Sequence, residues 1–285
     1  MPDTQYYTLE SAYPETFYSQ AQWVVDNKER LNIKGVLHVG DVVNYGNLEA
    51  EWAIADAAFD ILETADVPYL AAIGNHDTMT NGARLSTLFN TNLPQSRYTE
   101  KSWWSGGFFE DGKSENAYMF ITLGGEEYII ISMEFGARDS VLAWADGLLT
   151  TYAAKKAIIL THAYIAVDGT LLEGADTGSP YNYDIATDCN DGTEYWAMLK
   201  THDNLRYVIC GHLTPASNFS ADTDGGKAVH QIMANYQNED NGGNGWIRVM
   251  EFYLDAGLVN NKTYSTTLKE TSGAAKDNFY LEIEP

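Results

Sequence analysis

Basic side chains are scarce in this sequence. Its 17 lysines and arginines stand against 40 aspartates and glutamates, which gives a formal net charge of −23. Proteins that bind nucleic acids neutralise phosphates with lysine and arginine, and anionic membranes attract the same cations. The composition therefore argues against a nucleic-acid partner and against adhesion to an anionic membrane surface.

Long apolar runs and cysteines are also lacking. No apolar stretch approaches the roughly 18 residues of a membrane-spanning helix, so we expect no membrane insertion. The 2 cysteines are Cys189, in an acidic loop, and Cys210, in an apolar run, and we expect no disulfide between them. No signal-peptide pattern is visible. The acidic composition and low lysine content still favour a secreted or cell-surface bacterial protein, with a cytoplasmic location as the alternative.

Neither internal repeats nor a linker interrupts the sequence. Its 285 residues and apolar content of 45% suffice for a large buried core, and we predict a single domain over residues 1–285. Predicted strands at 36–39 and 68–73 alternate with predicted helices at 14–30 and 49–65. This alternation is typical of parallel strands joined by crossover helices.

The rest of the chain combines loops, a hairpin and further strands. We interpret two segments, 78–116 and 167–192, as loop insertions near the active site. The first of them contains a predicted short helix at 83–89. Strands at 117–123 and 128–133 flank a predicted four-residue turn. Further predicted elements are a helix at 139–153, a helix at 193–203, and strands at 227–235, 246–254, 257–266 and 278–283. The segment 227–285 is β-rich, and we expect it to complete a second sheet.

Four apolar runs each lead into a side chain that can bind a metal ion. The runs 36–39, 67–73, 157–160 and 207–210 are followed, after one intervening residue, by Asp41, Asn75, His162 and His212. Because the carboxyl ends of parallel strands meet at one edge of a sheet, we expect these side chains to converge. Mixed oxygen and nitrogen ligands suit Mn, Fe or Zn. The alternative, four unrelated strand caps, accounts for each one separately but not for the set.

The order Gly-Asp, Gly-Asn-His-Asp, His and Gly-His resembles the calcineurin-like metallophosphoesterase family. The resemblance extends from Asp3 to about Gly245. It implies an α/β fold, a four-layer α-β-β-α sandwich with two mixed sheets between helices, and a metal site at the C-terminal ends of strands. It also implies a small phosphorylated substrate and two metal ions bridged by Asp41. The resemblance implies that Asn75, His162 and His212, together with the bridging Asp41, form one metal site, which we call the second site.

The first site departs from the family pattern. Asp3-Thr4-Gln5 stands where relatives carry Asp-x-His, as in a subset of exported bacterial members with an Asp-Thr-Gln opening. Thr214 stands where relatives often carry another histidine. We expect Asp3, Gln5 and the shared Asp41 to form the first site, whose oxygen ligands would favour Mn, Mg or Ca over Zn.

The beginning of the sequence bears on that site. In relatives a strand precedes the first motif, and here at most two residues stand before Asp3. That strand is either missing or cut to two residues, and if it is absent we expect Asp3 to be poorly held. The alternative interpretation is a frayed polar terminus with no role in metal binding.

The resemblance implies hydrolysis of a phosphomonoester or a phosphodiester. Two divalent ions, with Mn, Fe or Zn expected and Mg or Ca possible at the first site, would activate a hydroxide for attack on phosphorus. By resemblance, His76 faces the substrate as a catalytic residue, and Asp77 holds its tautomer. The competing hypothesis is a non-catalytic or single-metal relic of the fold that serves as a binding or structural surface protein. The changes at Gln5 and Thr214 favour that hypothesis, whereas the intact pair His76-Asp77 favours the enzyme, which we prefer.

Trp103 and Trp104 are adjacent aromatic residues in the loop 78–116. Loop aromatics can line a substrate pocket, and we include both as candidate substrate-binding residues. The alternative is that they anchor the loop to the core.

Overall fold

The computed structural model describes residues 1–9, 13–80, 82–185 and 187–283. Asn81 of the first predicted loop insertion, Ala186 of the second, and residues 284 and 285 of the β-rich end lie outside the described residues. The α-helices in the described part are α1 (Gln5–Leu9), α2 (Pro14–Leu31), α3 (Glu49–Thr64), α4 (Thr87–Asn92), α5 (Ser96–Thr99), α6 (Asp139–Thr151), α7 (Gly192–Leu199) and the short α8 (Asp240–Gly243). Within those residues, no helix has the length and apolar character needed to cross a membrane.

The strands alternate with these helices in the first part of the chain and follow one another closely towards its end. In chain order they are β1 (Val36–His38), β2 (Tyr69–Ala71), β3 (Gly106–Phe108), β4 (Ala117–Leu123), β5 (Glu126–Ser132), β6 (Lys156–Leu160), β7 (Leu205–Cys210), β8 (Ser217–Asp222), β9 (Ala228–Met233), β10 (Trp246–Tyr253), β11 (Leu258–Ser265), β12 (Glu270–Thr271) and β13 (Phe279–Glu282).

The largest sheet has seven strands in the order β3-β4-β5-β6-β7-β9-β8. Its centre is parallel, since β5 pairs with β6, β6 with β7 and β7 with β9, while both edges are antiparallel. Parallel strands covered on both faces consist of near-continuous apolar residues. The buried runs Ile129–Ile131 and Ile158–Leu160 fit that rule.

The two faces of this sheet pack against different layers. Ile130 and Ile158 belong to a core that includes side chains of β1, β2, α2 and α3. The alternating residues Ile131 and Ile159 face a second core with side chains of α6 and α7. The order of layers is therefore helix, sheet, sheet, helix, and the predicted α/β sandwich is confirmed.

The second layer of strands consists of two hydrogen-bonded pieces. Strands β1 and β2 form a parallel pair, and β10, β11, β12 and β13 form a separate four-stranded antiparallel sheet. The prediction that the whole segment after residue 227 completes this layer was wrong for β9. That strand pairs in parallel with β7 in the large sheet, where Val229 and Met233 are buried against the helices.

Several local predictions need correction. The turn between β4 and β5 contains only Gly124 and Gly125, both at positive φ, instead of four residues. The short helix predicted at 83–89 begins later, at Thr87. Strands β3 and β8 were not predicted, because β3 begins with a glycine pair and β8 is largely polar.

Helix α2 shows how local sequence produces these elements. Pro14 occupies its first turn, where a missing backbone N–H costs nothing. Phe17, Ala21 and Val24 recur at helical spacing and are buried. The helix ends at Asn32, which adopts the left-handed conformation with φ of 52°.

The first residues of the chain lie along β1. The ammonium group of Met1 donates to the carbonyl of Leu37 at 2.6 Å, and the Val39 amide donates to the carbonyl of Met1 at 3.1 Å. Asp3 is consequently only 1% exposed, and the interpretation of this segment as a frayed polar terminus was wrong.

Phe59 on α3 is a sensitive test of the helix packing. Its ring is 1% exposed, stacks on Tyr69 at 5.0 Å and meets the edge of Phe17. We expect Phe59→Ala to lower the free energy of unfolding by about 3–5 kcal/mol, because it leaves a cavity. Urea denaturation is the measurement. Ala57→Ser, at an exposed position of the same helix, should change stability by about 0.5 kcal/mol or less; equal effects of the two substitutions would contradict the described packing.

Candidate metal centre

Three of the predicted ligands meet at the C-terminal edge of the sheets. Asp41 Oδ2 lies 3.1 Å from His162 Nε2, and His162 Nε2 lies 3.2 Å from His212 Nδ1. One ligand atom from each of these residues falls within 4.8 Å of the other two. The structure thus brings together an oxygen and two nitrogens that follow β1, β6 and β7 in the chain.

Backbone carbonyls determine which nitrogen of each histidine faces the cluster. His162 Nδ1 lies 2.8 Å from the carbonyl of Val39, and His212 Nε2 lies 2.9 Å from the carbonyl of Gly178. A carbonyl only accepts hydrogen bonds, so each of these nitrogens carries the proton. The nitrogens that face the cluster, Nε2 of His162 and Nδ1 of His212, are therefore the ones that can offer a lone pair to a metal ion, which would displace the proton held between His162 and Asp41. The donor set fits a divalent transition metal ion.

The charges at the cluster also favour a bound cation. Burial by itself would raise the pKa of Asp41, but the facing His162 lowers it well below its usual range. Burial opposes protonation of His162, yet Asp41 raises its pKa to about 9. Burial and the neighbouring His162 lower the pKa of His212 to about 3. The cluster thus holds a buried carboxylate that favours one nearby cation, and a metal ion meets that need with more charge than a proton.

The glycines of the motifs allow the ligands to approach closely. A Cβ atom at Gly74 would stand 2.2 Å from Asp41 Oδ1, and one at Gly211 would stand 2.2 Å from Asp3 Oδ1. Asp41 and His212 themselves adopt left-handed backbone conformations, with φ of 50° and 72°. Such conformations cost energy in non-glycine residues and are concentrated at functional sites.

Asp3, a predicted ligand of the first site, is held firmly by hydrogen bonds. Its Oδ2 accepts hydrogen bonds from Asn235 Nδ2 at 2.7 Å and from the His212 amide at 3.1 Å. Burial raises its pKa well above the usual range. The expectation that Asp3 would be poorly held was wrong, because Asn235, which sequence reasoning missed, fixes it from the loop after β9.

Gln5 presents its amide oxygen as a candidate ligand. The side chain is 2% exposed, and its Nε2 donates to Gln237 Oε1 at 2.6 Å. Its buried Oε1 has no hydrogen-bond partner among the described residues. A buried acceptor of this kind needs a cation or a donor. The oxygen donors of Asp3, Gln5 and Asp41 suit a hard divalent ion by their chemistry, and their role as the first site stays a prediction. Thr214 accepts a hydrogen bond from Asn238.

The loop that follows β2 positions the remaining predicted residues. Asn75 is 1% exposed there, and its role as a ligand of the second site stays a prediction. The His76 amide donates to Asp41 Oδ1 at 3.0 Å, and His76 Nδ1 lies 2.8 Å from the carbonyl of Asn44. His76 is thus tied both to the central carboxylate and to the loop after β1.

The predicted role of Asp77 was wrong. Its carboxylate accepts hydrogen bonds from the amides of Val43, at 3.0 Å, and Gly74, at 2.8 Å, and so joins the two ligand loops. The carbonyl of Asn44 is what orients His76. No side-chain pattern could have revealed this partner, because the acceptor is a backbone atom.

Trp103 and Trp104 lie in an aromatic cluster of the core. Trp103 packs against Tyr69 with 5.9 Å between ring centroids, and Trp104 stacks on Phe108 at 5.2 Å. Tyr69 begins β2, whereas the ligand loop follows the end of that strand. The contacts support the anchoring alternative rather than the predicted substrate-binding role.

Two aromatic side chains border the histidines. The Phe135 ring centroid lies 5.9 Å from that of His162 and 5.5 Å from that of His212. Tyr183, from the acidic loop 167–192, meets Phe135 edge-on at 4.9 Å and lies 6.1 Å from His212. Sequence reasoning did not single out either residue, since neither belongs to a motif.

A family model supports this description of the site. The model for the calcineurin-like phosphoesterases matches residues 3–214, which include both predicted sites. The chain belongs to the calcineurin-like phosphoesterase family. The family is described as one of phosphoesterases, and the convergence of Asp41, His162 and His212 fits a metal-binding site.

Individual relatives add detail. An uncharacterised protein of Bacillus subtilis, YvnB, is 29% identical over 100% of this chain and 21% of its own length. A probable cyclic nucleotide phosphodiesterase of Moraxella catarrhalis is 23% identical over 69% of this chain and 64% of its own. The chain therefore spans about a fifth of one curated relative and less than two thirds of the other.

A solved structure is similar in fold. A dimetal phosphatase from Danio rerio superposes with a TM-score of 0.57 and 10% identity, and the match covers 94% of this chain and 89% of that one. At this identity the similarity supports the fold alone.

The close approach at Gly74 gives a test of the centre. We expect Gly74→Ala to abolish tight Mn²⁺ binding measured by isothermal titration calorimetry, because the new Cβ would collide with the Asp41 carboxylate. Gly147→Ala is the matched control, since a Cβ there meets nothing within 4 Å and the position is inside α6. It should bind Mn²⁺ normally and gain up to about 1 kcal/mol of stability. Normal Mn²⁺ affinity in Gly74→Ala would contradict the geometry.

Proposed function

We propose that this protein is a binuclear metal-dependent phosphodiesterase. Asp41, Asn75, His162 and His212 would hold one divalent ion, and Asp3, Gln5 and the shared Asp41 would hold the other. The observation that carries the proposal is the convergence of Asp41, His162 and His212, whose Oδ2, Nε2 and Nδ1 atoms face one cluster. The buried oxygen of Gln5, which has no hydrogen-bond partner in the part of the chain that the structure describes, supports the first site. Its oxygen ligands suit Mn, Mg or Ca, and the second site suits Mn, Fe or Zn.

Bound divalent ions would polarise the phosphoryl group and lower the pKa of a water molecule. The chain's own contribution to proton transfer is His76. Its Nδ1 is engaged with the carbonyl of Asn44, so Nε2 is the atom that can protonate the leaving oxygen. The hydrogen bond from the His76 amide to Asp41 keeps the imidazole next to the metal ligands.

Charge favours a diester over a monoester. A phosphodiester carries one negative charge, whereas a phosphomonoester carries about 1.5 to 2 near neutral pH. The chain has a net charge of −23, and the nearby arginines Arg84 and Arg138 are already paired with Glu134. The Moraxella catarrhalis relative is named a probable cyclic nucleotide phosphodiesterase, which supports the same substrate class. Export from the cell stays a prediction from composition.

Turnover of chromogenic esters tests the proposal. With Mn²⁺ added, we expect hydrolysis of bis(4-nitrophenyl) phosphate to exceed that of 4-nitrophenyl phosphate. His76→Ala should lower kcat by about 10²- to 10⁴-fold, because general acid catalysis is lost, while Mn²⁺ content stays the same. His202→Ala is the control, since His202 pairs with Asp146 on another part of the surface, and it should retain full activity.

Two results would count against this function. If His76→Ala and His202→Ala had equal activity, the role of His76 would be refuted. If the Mn²⁺-loaded protein hydrolysed neither a monoester nor a diester, the competing hypothesis of a non-catalytic binding or structural protein would be favoured.

A further inference from the structure

Tyr183 lies at the edge of the metal centre without belonging to any motif. Its ring packs edge-on against Phe135 at 4.9 Å and lies 6.1 Å from the ring of His212. On another side, a Cβ atom at Gly82 would stand 2.5 Å from the tyrosine ring. Residues from both predicted loop insertions thus fix this ring beside a metal ligand.

The hydroxyl of Tyr183 is available for a ligand. Among the described residues it makes no hydrogen bond, although the side chain is partly buried. The hydroxyl is not one of the buried unpartnered polar atoms of the described residues, so it reaches solvent and is accessible to a ligand. Tyr181, two residues earlier in the same loop, differs, since its hydroxyl donates to the Glu194 carboxylate at 2.8 Å.

The charged groups around the centre provide little hydrogen-bond donation to a phosphoryl group. Asp3 and Asp41 contribute carboxylates to the centre. Arg84 binds Glu134 and the carbonyls of Gly136 and Asp188. A substrate oxygen that contacts no metal ion therefore needs a donor from another side chain.

We propose that Tyr183 is a substrate-binding residue whose hydroxyl donates a hydrogen bond to a non-bridging phosphoryl oxygen of the ester. The inference rests on the proposed function and extends it to a residue of the acidic loop. A neutral donor suits the single charge of a phosphodiester. The ring of Tyr183 lies 6.1 Å from that of His212, which brings this residue to the border of the second site.

Tyr183→Phe tests this assignment, because it removes the hydroxyl and keeps the ring packing. We expect kcat/KM for bis(4-nitrophenyl) phosphate to fall about 10- to 100-fold, as for a lost hydrogen bond to a charged group. The affinity of the Mn²⁺-loaded protein for inorganic phosphate, measured by isothermal titration calorimetry, should fall by a similar factor. Tm and Mn²⁺ content should not change. Tyr181→Phe is the matched control and should retain both activity and phosphate affinity.

The outcomes separate this inference from the proposed function. Active wild-type protein with an equally active Tyr183→Phe variant of unchanged phosphate affinity would overturn the role of Tyr183 alone. A Tyr183→Phe variant that lost Tm together with activity would show a structural role and would also overturn it. If the wild-type protein showed no turnover, the proposed function would fail, while a loss of phosphate affinity confined to Tyr183→Phe would still support the contact.

Discussion

The structure of the site depends on one buried carboxylate, that of Asp41. The carboxylate lies 3.1 Å from His162 Nε2 and accepts a hydrogen bond from the His76 amide at 3.0 Å. The backbone of Asp41 adopts a left-handed conformation at this position. A lone carboxylate in such a position is costly unless a cation accompanies it. The histidines, the glycines of the motifs and the loop hydrogen bonds of Asp77 all serve to hold this carboxylate where two metal ions could share it.

The fold supplies the geometry for this arrangement. The large sheet and the β1-β2 pair end at the same edge, so residues far apart in sequence meet there without a long loop. Asp77 ties the loop after β1 to the loop after β2, and Asn235 ties Asp3 to the segment after β9. These contacts use buried, fully paired polar groups, which favour a rigid site over an adaptable one.

Sequence reasoning predicted the parts of this protein that repeat a pattern. The apolar runs indicated most strands, and the motif residues indicated the centre, because strand ends in a parallel sheet converge by geometry. It failed where a backbone atom positions a side chain, as the Asn44 carbonyl orients His76. It also failed where partners come from distant segments, as with Asn235 and Tyr183. Polar and glycine-containing strands such as β8 and β3 carry no apolar signal and were therefore missed.

The most direct test of the central claim is the number of Mn²⁺ ions bound per chain, measured by elemental mass spectrometry after reconstitution and gel filtration. If Asp41 is shared by two sites, the wild-type protein should hold two ions and Asp41→Ala should hold none. His162→Ala should lose the ion of the second site and keep the other. Two ions retained by Asp41→Ala would contradict the account, because the carboxylate on which the site depends would then be dispensable.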